Sequence, residues 1–328
     1  MAGKTPKRVV AVLGARFGDL KIEEKLLRRY DVDLVAGDGL DEDETARLCR
    51  STSVILAGGA PKLPASLLRR LPELRAIVRY GIGVDTVDLD EATRRGICVA
   101  NVPDYCIEEV ATHALALILA WSRKLPLAER LTRGGKWAVA PLMPMESSRD
   151  LLLGVVGFGR IARRLARMAR ALGFQVAASD PYVKKTAMQK HRVRPLSFDR
   201  LVRTADFISL HLPLSPKTGH LMNERTIGRM KPTAYLINTA RGGLIDEASL
   251  YRALRDRKIA GAALDVLEEE PWPDNSPLRE LDNLIVTPHA AWYTARAQRE
   301  LRVKACAEVI RVLSGKRPKN LVNRGVLR

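Results

Sequence analysis

Hydrophobic and polar positions follow two successive series along the chain. In the first hundred residues, short apolar stretches typical of buried strands alternate with amphipathic stretches typical of helices. The predicted strands cover residues 8–13, 32–35, 54–57, 76–79 and 97–100, and residues 22–29 and 41–50 are examples of the helices between them. Strands that alternate with helices in this way predict a parallel sheet covered by helices.

A break at Pro103 separates this first series from a strongly apolar helix predicted over residues 107–121. A connector rich in Gly, Trp and Pro follows at residues 134–144. The connector is long for a simple loop, which suggests an arm that packs on a second subunit. Helix and arm together offer more apolar surface than one small domain needs, so we expect a symmetric homodimer built on this region.

The second series of strands and helices begins at residue 151. Its predicted strands cover residues 152–156, 175–179, 207–210, 234–238, 261–266 and 284–286, and a final helix is predicted from about residue 292 to residue 313. The expected fold class is therefore α/β, with two Rossmann-like, doubly wound parallel-sheet domains.

A glycine-rich segment joins the first strand of the second series to its helix. Residues 151–172 have the sequence LLLGVVGFGRIARRLARMARAL, which contains the dinucleotide fingerprint G-x-G-x-x-A. Gly157 permits the tight turn, Gly159 lets a pyrophosphate approach the backbone, and Ala162 allows close packing of helix on strand. The start of the helix supplies free N–H groups and the positive end of its dipole.

An acidic residue ends the next predicted strand, as the fingerprint requires. Asp180 follows Gly159 by about 20 residues, the distance at which a carboxylate holds the ribose hydroxyls of NAD and repels the extra phosphate of NADP. The alternative is that Asp180 only caps a turn before Pro181. Lys184 and Lys185 lie close behind and weaken the argument against NADP.

Three later strands are each accompanied by polar residues that apolar packing does not require. These residues are Arg241, then Asp265 with Glu268, Glu269 and Glu270, and finally His289. Ligands of open α/β sheets bind beyond the carboxyl ends of the strands, so these groups should meet in one crevice. An arginine can bind a substrate carboxylate through two hydrogen bonds, and a histidine can transfer a proton near neutral pH. A carboxylate behind the histidine fixes the tautomer of its ring and favours the imidazolium form. The set suits hydride transfer at a 2-hydroxy acid.

The five histidines differ in their sequence surroundings. His113 lies on the apolar helix, which is typical of a packed or interface residue, and His191 lies between Lys190 and Arg192 on a charged face. The other three are His211, which follows a strand and can line the cofactor crevice, the loop residue His220, and His289. Position favours His289 as the acid–base group, and the alternative is a buried histidine that only packs a strand end.

Composition excludes several other classes of protein. The 328 residues are 46% hydrophobic and 28% charged, which excludes a disordered or fibrous chain. No apolar run approaches the roughly 18 residues of a membrane span, and the first residues lack the features of a signal peptide. The four cysteines have no metal-ligand spacing, so we expect no metal site, free thiols and a reducing cytoplasm.

The net charge of +18 raises the question of an anionic partner. Lysines and arginines are spread along the whole chain, mostly on helix faces, with no basic tail, zinc-finger spacing or basic strip interleaved with aromatic residues. We therefore expect no specific nucleic-acid partner.

At these motifs the chain resembles the D-isomer-specific 2-hydroxyacid dehydrogenases, over nearly its whole length. The resemblance depends on the glycine fingerprint, on residues 237–243 (INTARGG), on residues 263–266 (ALDV) with Glu270-Pro271, and on residues 287–289 (TPH). Within the family, residues 287–293 (TPHAAWY) and 101–103 (NVP) look like the C-terminal-binding protein branch, many of whose bacterial relatives are called phosphoglycerate dehydrogenases.

The resemblance implies a catalytic set of Arg241, Glu270 and His289, because the family's acid directly precedes the proline. The implied NAD-contacting residues are Thr112, Gly157, Gly159, Arg160, Ile161, Asp180, Pro181, His211, Pro213, Thr218, Thr239, Ala240, Arg241, Asp265 and His289. The implied residues for a small 2-hydroxy or 2-keto acid are Ile82, Gly83, Tyr105, Arg241, His289 and Trp292. For Tyr105, the alternative is a packing residue at the entry to a helix.

The family also implies an architecture and a reaction. Residues 1–101 and 293–328 would form a discontinuous substrate domain, and residues 102–292 an NAD-binding domain with the dimerisation helix and arm, with a cleft between the two. The expected activity is reversible hydride transfer between NAD(H) and a 2-keto or 2-hydroxy acid. The alternative is an NAD-sensing interaction protein with residual dehydrogenase activity. Ala290-Ala291 replaces glycines common in phosphoglycerate-specific members, and we expect no C-terminal regulatory domain.

Overall fold

A computed structural model describes residues 8–15 and 17–327. The chain divides into two compact units, one of Met1–Tyr105 with Thr294–Arg328 and one of Cys106–Tyr293. The predicted domain limits at 101/102 and 292/293 lie a few residues from these divisions. Residues 1–7, on which the expectation about a signal peptide depends, lie outside the described residues.

The first unit contains a five-stranded parallel sheet in the order β2-β1-β3-β4-β5. Its strands are β1 (Arg8–Leu13), β2 (Val32–Gly37), β3 (Thr52–Ala57), β4 (Ala76–Arg79) and β5 (Cys98–Ala100). Its helices are α1 (Lys21–Leu27), α2 (Glu42–Leu48), α3 (Ala65–Arg69), α4 (Leu89–Arg94) and the last helix of the chain, α12 (Ala295–Leu313). The central strands β1, β3 and β4 are almost wholly buried, which explains their continuous apolar runs.

The last helix begins later than its apolar pattern predicts. Helix α12 starts at Ala295, so the expected start near residue 292 is wrong. The reason is a helix cap, because the side-chain oxygen of Thr294 accepts a hydrogen bond from the amide of Ala297 at 3.0 Å. A turn that pairs the amide of Tyr293 with the carbonyl of Ala290 precedes the cap.

The second unit contains a seven-stranded parallel sheet in the order β12-β11-β10-β9-β6-β7-β8. Its strands are β6 (Leu152–Val156), β7 (Gln175–Ser179), β8 (Arg194–Pro195), β9 (Phe207–Leu210), β10 (Tyr235–Asn238), β11 (Gly261–Leu264) and β12 (Leu284–Val286). Its helices are α5 (Ile107–Ser122), α6 (Leu125–Arg133), α7 (Arg160–Ala171), α8 (Lys185–Lys190), α9 (Phe198–Thr204), α10 (Glu224–Ile227) and α11 (Glu247–Arg255). The two-residue strand β8 is too short for a hydrophobic pattern to reveal.

The order of the strands places a binding crevice within this unit. From β6 the chain proceeds outward through β7 and β8 and then returns to form β9 on the other side of β6. The direction of winding therefore reverses between β6 and β9, and ligands of open parallel sheets bind at such a reversal, beyond the carboxyl ends of the strands. Both units are parallel α/β structures, so the predicted fold class is confirmed.

The predicted arm consists mainly of irregular, exposed chain. It contains one short 3₁₀ turn, Ala140–Leu142, and its side chains include Trp137, 91% exposed, and Met143, 68% exposed. The apolar helix α5 buries Val110, Ile118 and Trp121 among other residues. None of the helices between residues 8 and 327 that the structure describes is long and apolar enough to cross a membrane.

Candidate active site

The glycine-rich loop leaves open space beside the backbone at the end of β6. Gly157 has a φ of +84°, and a Cβ atom at this position would lie 2.4 Å from the carbonyl oxygen of His211. A Cβ at Gly159 would meet no heavy atom within 4 Å. Helix α7 begins at Arg160, directly after the loop. The loop thus offers an approachable helix N-terminus, as the pyrophosphate of a dinucleotide requires.

Asp180 connects the end of β7 to the glycine loop. One carboxylate oxygen accepts a hydrogen bond from the amide of Phe158 and the other from the amide of Tyr182, each at 2.8 Å. The second bond is the turn cap that the sequence allows as an alternative to ribose binding. Each oxygen can still accept a further hydrogen bond, so the observed bonds are compatible with both roles.

A cavity of about 400 Å³ lies at the surface next to this strand end. Its lining includes the side chains of Arg163, Tyr182, Lys184 and Lys190. The three cations Arg163, Lys184 and Lys190 around this cavity would attract a phosphate group.

The residues after β9 form a wall of the crevice. Nε2 of His211 lies 2.8 Å from the hydroxyl oxygen of Ser209. Burial lowers the pKa of His211 to about 4, so this imidazole is neutral at neutral pH. The Thr218 hydroxyl donates to the carbonyl of Pro213 at 2.7 Å and accepts from the amide of Ser215 at 2.8 Å, which holds the loop in shape.

Asn238, the last residue of β10, shapes the turn that carries Arg241. Its fully buried side chain accepts from the amide of Ala240 at 3.0 Å and donates to the carbonyl of Arg241 at 2.8 Å. The neighbouring Thr239 hydroxyl is buried and lacks a hydrogen-bond partner among the described residues. An unpaired buried hydroxyl beyond the carboxyl end of a parallel strand fits a polar ligand such as a dinucleotide. Sequence reasoning missed the role of Asn238, although a polar residue at the end of a buried strand was a usable signal for a site residue.

His289 and Glu270 form a close pair. Nδ1 of His289 lies 2.7 Å from a carboxylate oxygen of Glu270, and the other oxygen accepts from the amide of Leu267 at 3.1 Å. Burial alone would raise the pKa of Glu270, but the hydrogen bond and charge of His289, with the charge of Arg241, lower it overall. Glu270 is therefore ionised at neutral pH and orients the ring of His289.

Asp265 holds the loop that carries His289. Its buried carboxylate accepts from the Thr287 hydroxyl at 2.5 Å and from the amides of Ala290 and Ala291 at 2.9 Å. Its carbonyl accepts from the amide of His289, also at 2.9 Å. These bonds stabilise the left-handed conformation of His289, whose φ is +51°. The expected contact of Asp265 with nicotinamide stays a prediction, and the structure adds a role within the loop.

His113 extends this network from helix α5. Its Nε2 lies 3.0 Å from the Thr287 hydroxyl oxygen. Because that hydroxyl donates its proton to Asp265, it accepts from His113, which places a proton on Nε2 of the ring. Sequence reasoning described His113 only as a packed or interface residue and did not connect it to the loop of His289.

The remaining acids near Glu270 have different partners. A carboxylate oxygen of Glu268 forms a hydrogen bond with Nε2 of His220. The amide of Glu268 donates to a carboxylate oxygen of Glu247 at 2.6 Å. The geometry therefore separates Glu268 from the His289 pair and supports the choice of Glu270. His191 is exposed, with its ring edge-on to Phe158.

In the first unit, the loop after β4 is held through its carbonyl groups. The carbonyl of Ile82 accepts from the side-chain amide of Asn101 at 2.7 Å, and the carbonyl of Gly83 accepts from Nε of Arg79 at 3.2 Å. Arg79 is buried and also donates to a carbonyl of β3. Neither Arg79 nor Asn101 was predicted from the sequence, because their partners are loop carbonyls that leave no pattern.

The other predicted site residues differ in exposure. Tyr105 is buried, at 8% exposure, and Trp292 is half-buried with its ring edge-on to Tyr293. Thr112, Arg160 and Pro181 are exposed, and Ile161 and Ala240 are half-buried. None of these positions conflicts with contact to a ligand.

The fold and site of the second unit define a dinucleotide-binding Rossmann domain with an acid–histidine pair at its strand ends. The family described as D-isomer specific 2-hydroxyacid dehydrogenase, NAD binding domain, matches residues 115–291. The chain belongs to the D-isomer-specific 2-hydroxyacid dehydrogenases, and this unit is the family's NAD-binding domain. The resemblance inferred from the motifs is confirmed.

Relatives with different names illustrate the breadth of the family. A D-3-phosphoglycerate dehydrogenase of Methanocaldococcus jannaschii is 37% identical over 87% of this chain and 54% of its own length. A glyoxylate reductase of Korarchaeum cryptofilum is 37% identical over 81% of both chains. The structure of D-lactate dehydrogenase from Aquifex aeolicus, complexed with NAD and lactic acid, has a TM-score of 0.86 at 30% identity, covering 93% of this chain and 96% of that one. The chain spans about half the length of the phosphoglycerate dehydrogenases that it matches.

Proposed function

We propose that this protein is an NAD-dependent D-2-hydroxyacid dehydrogenase that interconverts a small 2-keto acid and the corresponding D-2-hydroxy acid. The observation that carries the proposal is the His289–Glu270 pair, joined at 2.7 Å in the unit that contains the glycine loop. Relatives named glyoxylate reductase and D-3-phosphoglycerate dehydrogenase support this substrate class.

Proton transfer in this scheme belongs to His289. Bound NADH supplies the hydride for reduction. Since Nδ1 faces Glu270, Nε2 is the nitrogen that gives its proton to the substrate's carbonyl oxygen, and in oxidation it takes the hydroxyl proton. Glu270 stabilises the imidazolium that donates this proton.

Substrate binding in this scheme uses a guanidinium and backbone amides. Arg241 clamps the carboxylate with its planar fork and polarises the neighbouring carbonyl. The backbone amides of Ile82 and Gly83, which lie in the loop after β4, bind the carboxylate of the substrate. Tyr105 and Trp292 contribute to the pocket for the substrate's side chain.

His289→Ala tests the proposal directly. General acid–base catalysis contributes about 100- to 10,000-fold, so turnover of a good 2-keto acid should fall on that scale while NADH still binds. The assay is NADH oxidation with a panel of 2-keto acids, and His191→Ala serves as a control at an exposed histidine. Near-normal turnover of His289→Ala would refute the scheme and make His211 the next proton donor to test.

For the cofactor, we propose that NAD(H) binds more tightly than NADP(H), because Asp180 carries negative charge at the end of β7. The residues proposed to contact it are Thr112, Gly157, Gly159, Arg160, Ile161, Asp180, Pro181, His211, Pro213, Thr218, Thr239, Ala240, Arg241, Asp265 and His289. Fluorescence titration with both reduced cofactors tests the preference. Tighter binding of NADPH would reverse the assignment and point to Lys184 or Lys185.

We also propose a symmetric homodimer and a cytoplasmic location. The exposed Trp137 and Met143 of the arm, together with the apolar helix α5, support an interface built on this region. The free thiols of all four cysteines are compatible with a reducing compartment. Light scattering at micromolar concentration tests the assembly, and a monomeric mass would remove this part of the proposal.

A further inference from the structure

A charged cluster is buried inside the first unit, and none of its members has a role in the proposed reaction. Glu23 on α1 is fully buried, and Arg302 on α12 is 5% exposed. Nε of Arg302 donates to one carboxylate oxygen of Glu23 at 2.9 Å, and Nη2 donates to the other at 2.6 Å. The hydroxyl of Tyr80 donates to the same carboxylate at 2.9 Å.

Further contacts fix every member of this cluster. The guanidinium of Arg302 lies over the ring of Phe17, at 5.0 Å from its centroid, and Nη2 donates to the carbonyl of Asp19 at 2.7 Å. The same Phe17 ring meets Tyr80 edge to face, with centroids 4.9 Å apart. Replacing a buried ion pair by apolar residues of the same volume is often neutral or stabilising, whereas removing one partner is strongly destabilising.

Tyr80 connects this cluster to the loop after β4. Its phenol is held by Glu23, and its amide donates to the carbonyl of Ala57 at 2.8 Å. The next residue, Gly81, has a φ of +158°. The amides of Ile82 and Gly83 that follow have no acceptor within the part of the chain that the structure describes. The loop therefore has a fixed first residue and two donors available for an anion.

We propose that Glu23 is a positioning residue, which holds Tyr80 and thereby aims the amides of Ile82 and Gly83 at the substrate carboxylate. Arg302 orients the carboxylate of Glu23 through two hydrogen bonds. This inference rests on the proposed function, because it assigns Glu23 to the binding of a 2-keto acid. Glu23 itself lies inside the unit, with its carboxylate fully engaged by Tyr80 and Arg302, and acts through Tyr80.

Two substitutions remove the link between carboxylate and phenol. Tyr80→Phe deletes one hydroxyl and keeps the ring, and Glu23→Gln removes the charge while keeping the shape. Misplacement of binding groups by a fraction of an ångström should raise KM for the 2-keto acid about tenfold or more. Turnover at saturation should stay within about twofold, since binding through the amides is made in ground and transition states alike. The dissociation constant of NADH should not change.

Because Glu23 acts through Tyr80, the double variant should have the KM of a single variant rather than the product of both effects. Glu91→Gln is the matched control. Glu91 is 7% exposed in the same unit and forms an ion pair with Arg94 at 2.6 Å. The Glu91→Gln variant should be less stable than the wild-type protein but have the same KM for the 2-keto acid. If Glu23→Gln does not fold, Tyr80→Phe alone still decides the question.

Hydrogen exchange separates this inference from the proposed function. In the absence of substrate, the amide of Tyr80, which donates to the carbonyl of Ala57, should exchange faster in Tyr80→Phe and Glu23→Gln than in Glu91→Gln. If the wild-type protein reduces no 2-keto acid, the proposed function fails, and the exchange rates alone decide whether Glu23 positions the loop. The inference is overturned if both variants match Glu91→Gln in KM and in exchange at this loop.

Discussion

The charge of Glu270 should set the pH range in which reduction occurs. In the proposed scheme, reduction requires the imidazolium of His289, and the ionised Glu270 stabilises that form across a distance of 2.7 Å. Glu270→Gln removes the charge but keeps an oxygen that can accept from the amide of Leu267. The loop should therefore stay in place while the imidazolium loses its counter-charge.

The size of this effect follows from distance and exposure. The side chains of His289 and Glu270 are 43% and 38% exposed, so a water-like dielectric is appropriate for this pair. Unit charges about 2.7 Å apart then interact by about 1.5 kcal/mol. Since one pH unit corresponds to about 1.4 kcal/mol, the pH at which reduction falls to half should move down by about one unit.

The measurement is kcat/KM for reduction of one 2-keto acid with NADH, taken from pH 5 to pH 9. Glu269→Gln is the control, because it removes the same charge one residue away. The expected result is a downward shift for Glu270→Gln and an unchanged profile for Glu269→Gln. An unchanged profile for Glu270→Gln, or an equal shift in both variants, would refute the assignment of Glu270 as partner of His289.

Three further outcomes follow from the site. Arg241→Lys should raise KM for the 2-keto acid at least about tenfold, because an ammonium group cannot make the two parallel hydrogen bonds of a planar guanidinium. An unchanged KM would exclude Arg241 as the residue that binds the substrate carboxylate. Gly157→Ala should weaken NADH binding, measured by titration, and lower the free energy of unfolding by about 1–3 kcal/mol, measured with denaturant. The reason is that the new Cβ would lie 2.4 Å from the carbonyl oxygen of His211, on a residue whose φ is +84°. Because burial lowers the pKa of His211 from 6.5 to about 4, the unfolded chain binds a proton at this residue at a higher pH than the folded protein does. The corresponding stability is therefore fully present above pH 6.5 and is lost as the pH falls towards 4. That loss is at most about 3 kcal/mol in unfolding free energy and should be absent in His211→Gln.

Local pattern was sufficient for most of the fold. Strands β1, β4, β6, β7, β9 and β12 have the predicted limits, because each is a short apolar run between amphipathic helices. The glycine loop was equally visible, since Gly157 must adopt a positive φ and Gly159 must leave the backbone approachable. The family followed from the spacing of such motifs along the chain.

Contacts between distant residues had to come from the tertiary structure. Arg302 and Glu23 are 279 positions apart, and His113 and Thr287 are 174 apart, so no local pattern connects them. The start of α12, by contrast, is set locally by the side-chain cap at Thr294, a signal that the apolar pattern does not contain. Periodicity reports which face of an element is buried, whereas the partner of a buried polar group depends on how the elements pack. The sequence by itself therefore determined the elements and the chemical groups, and the tertiary structure alone decided which groups hold one another in place.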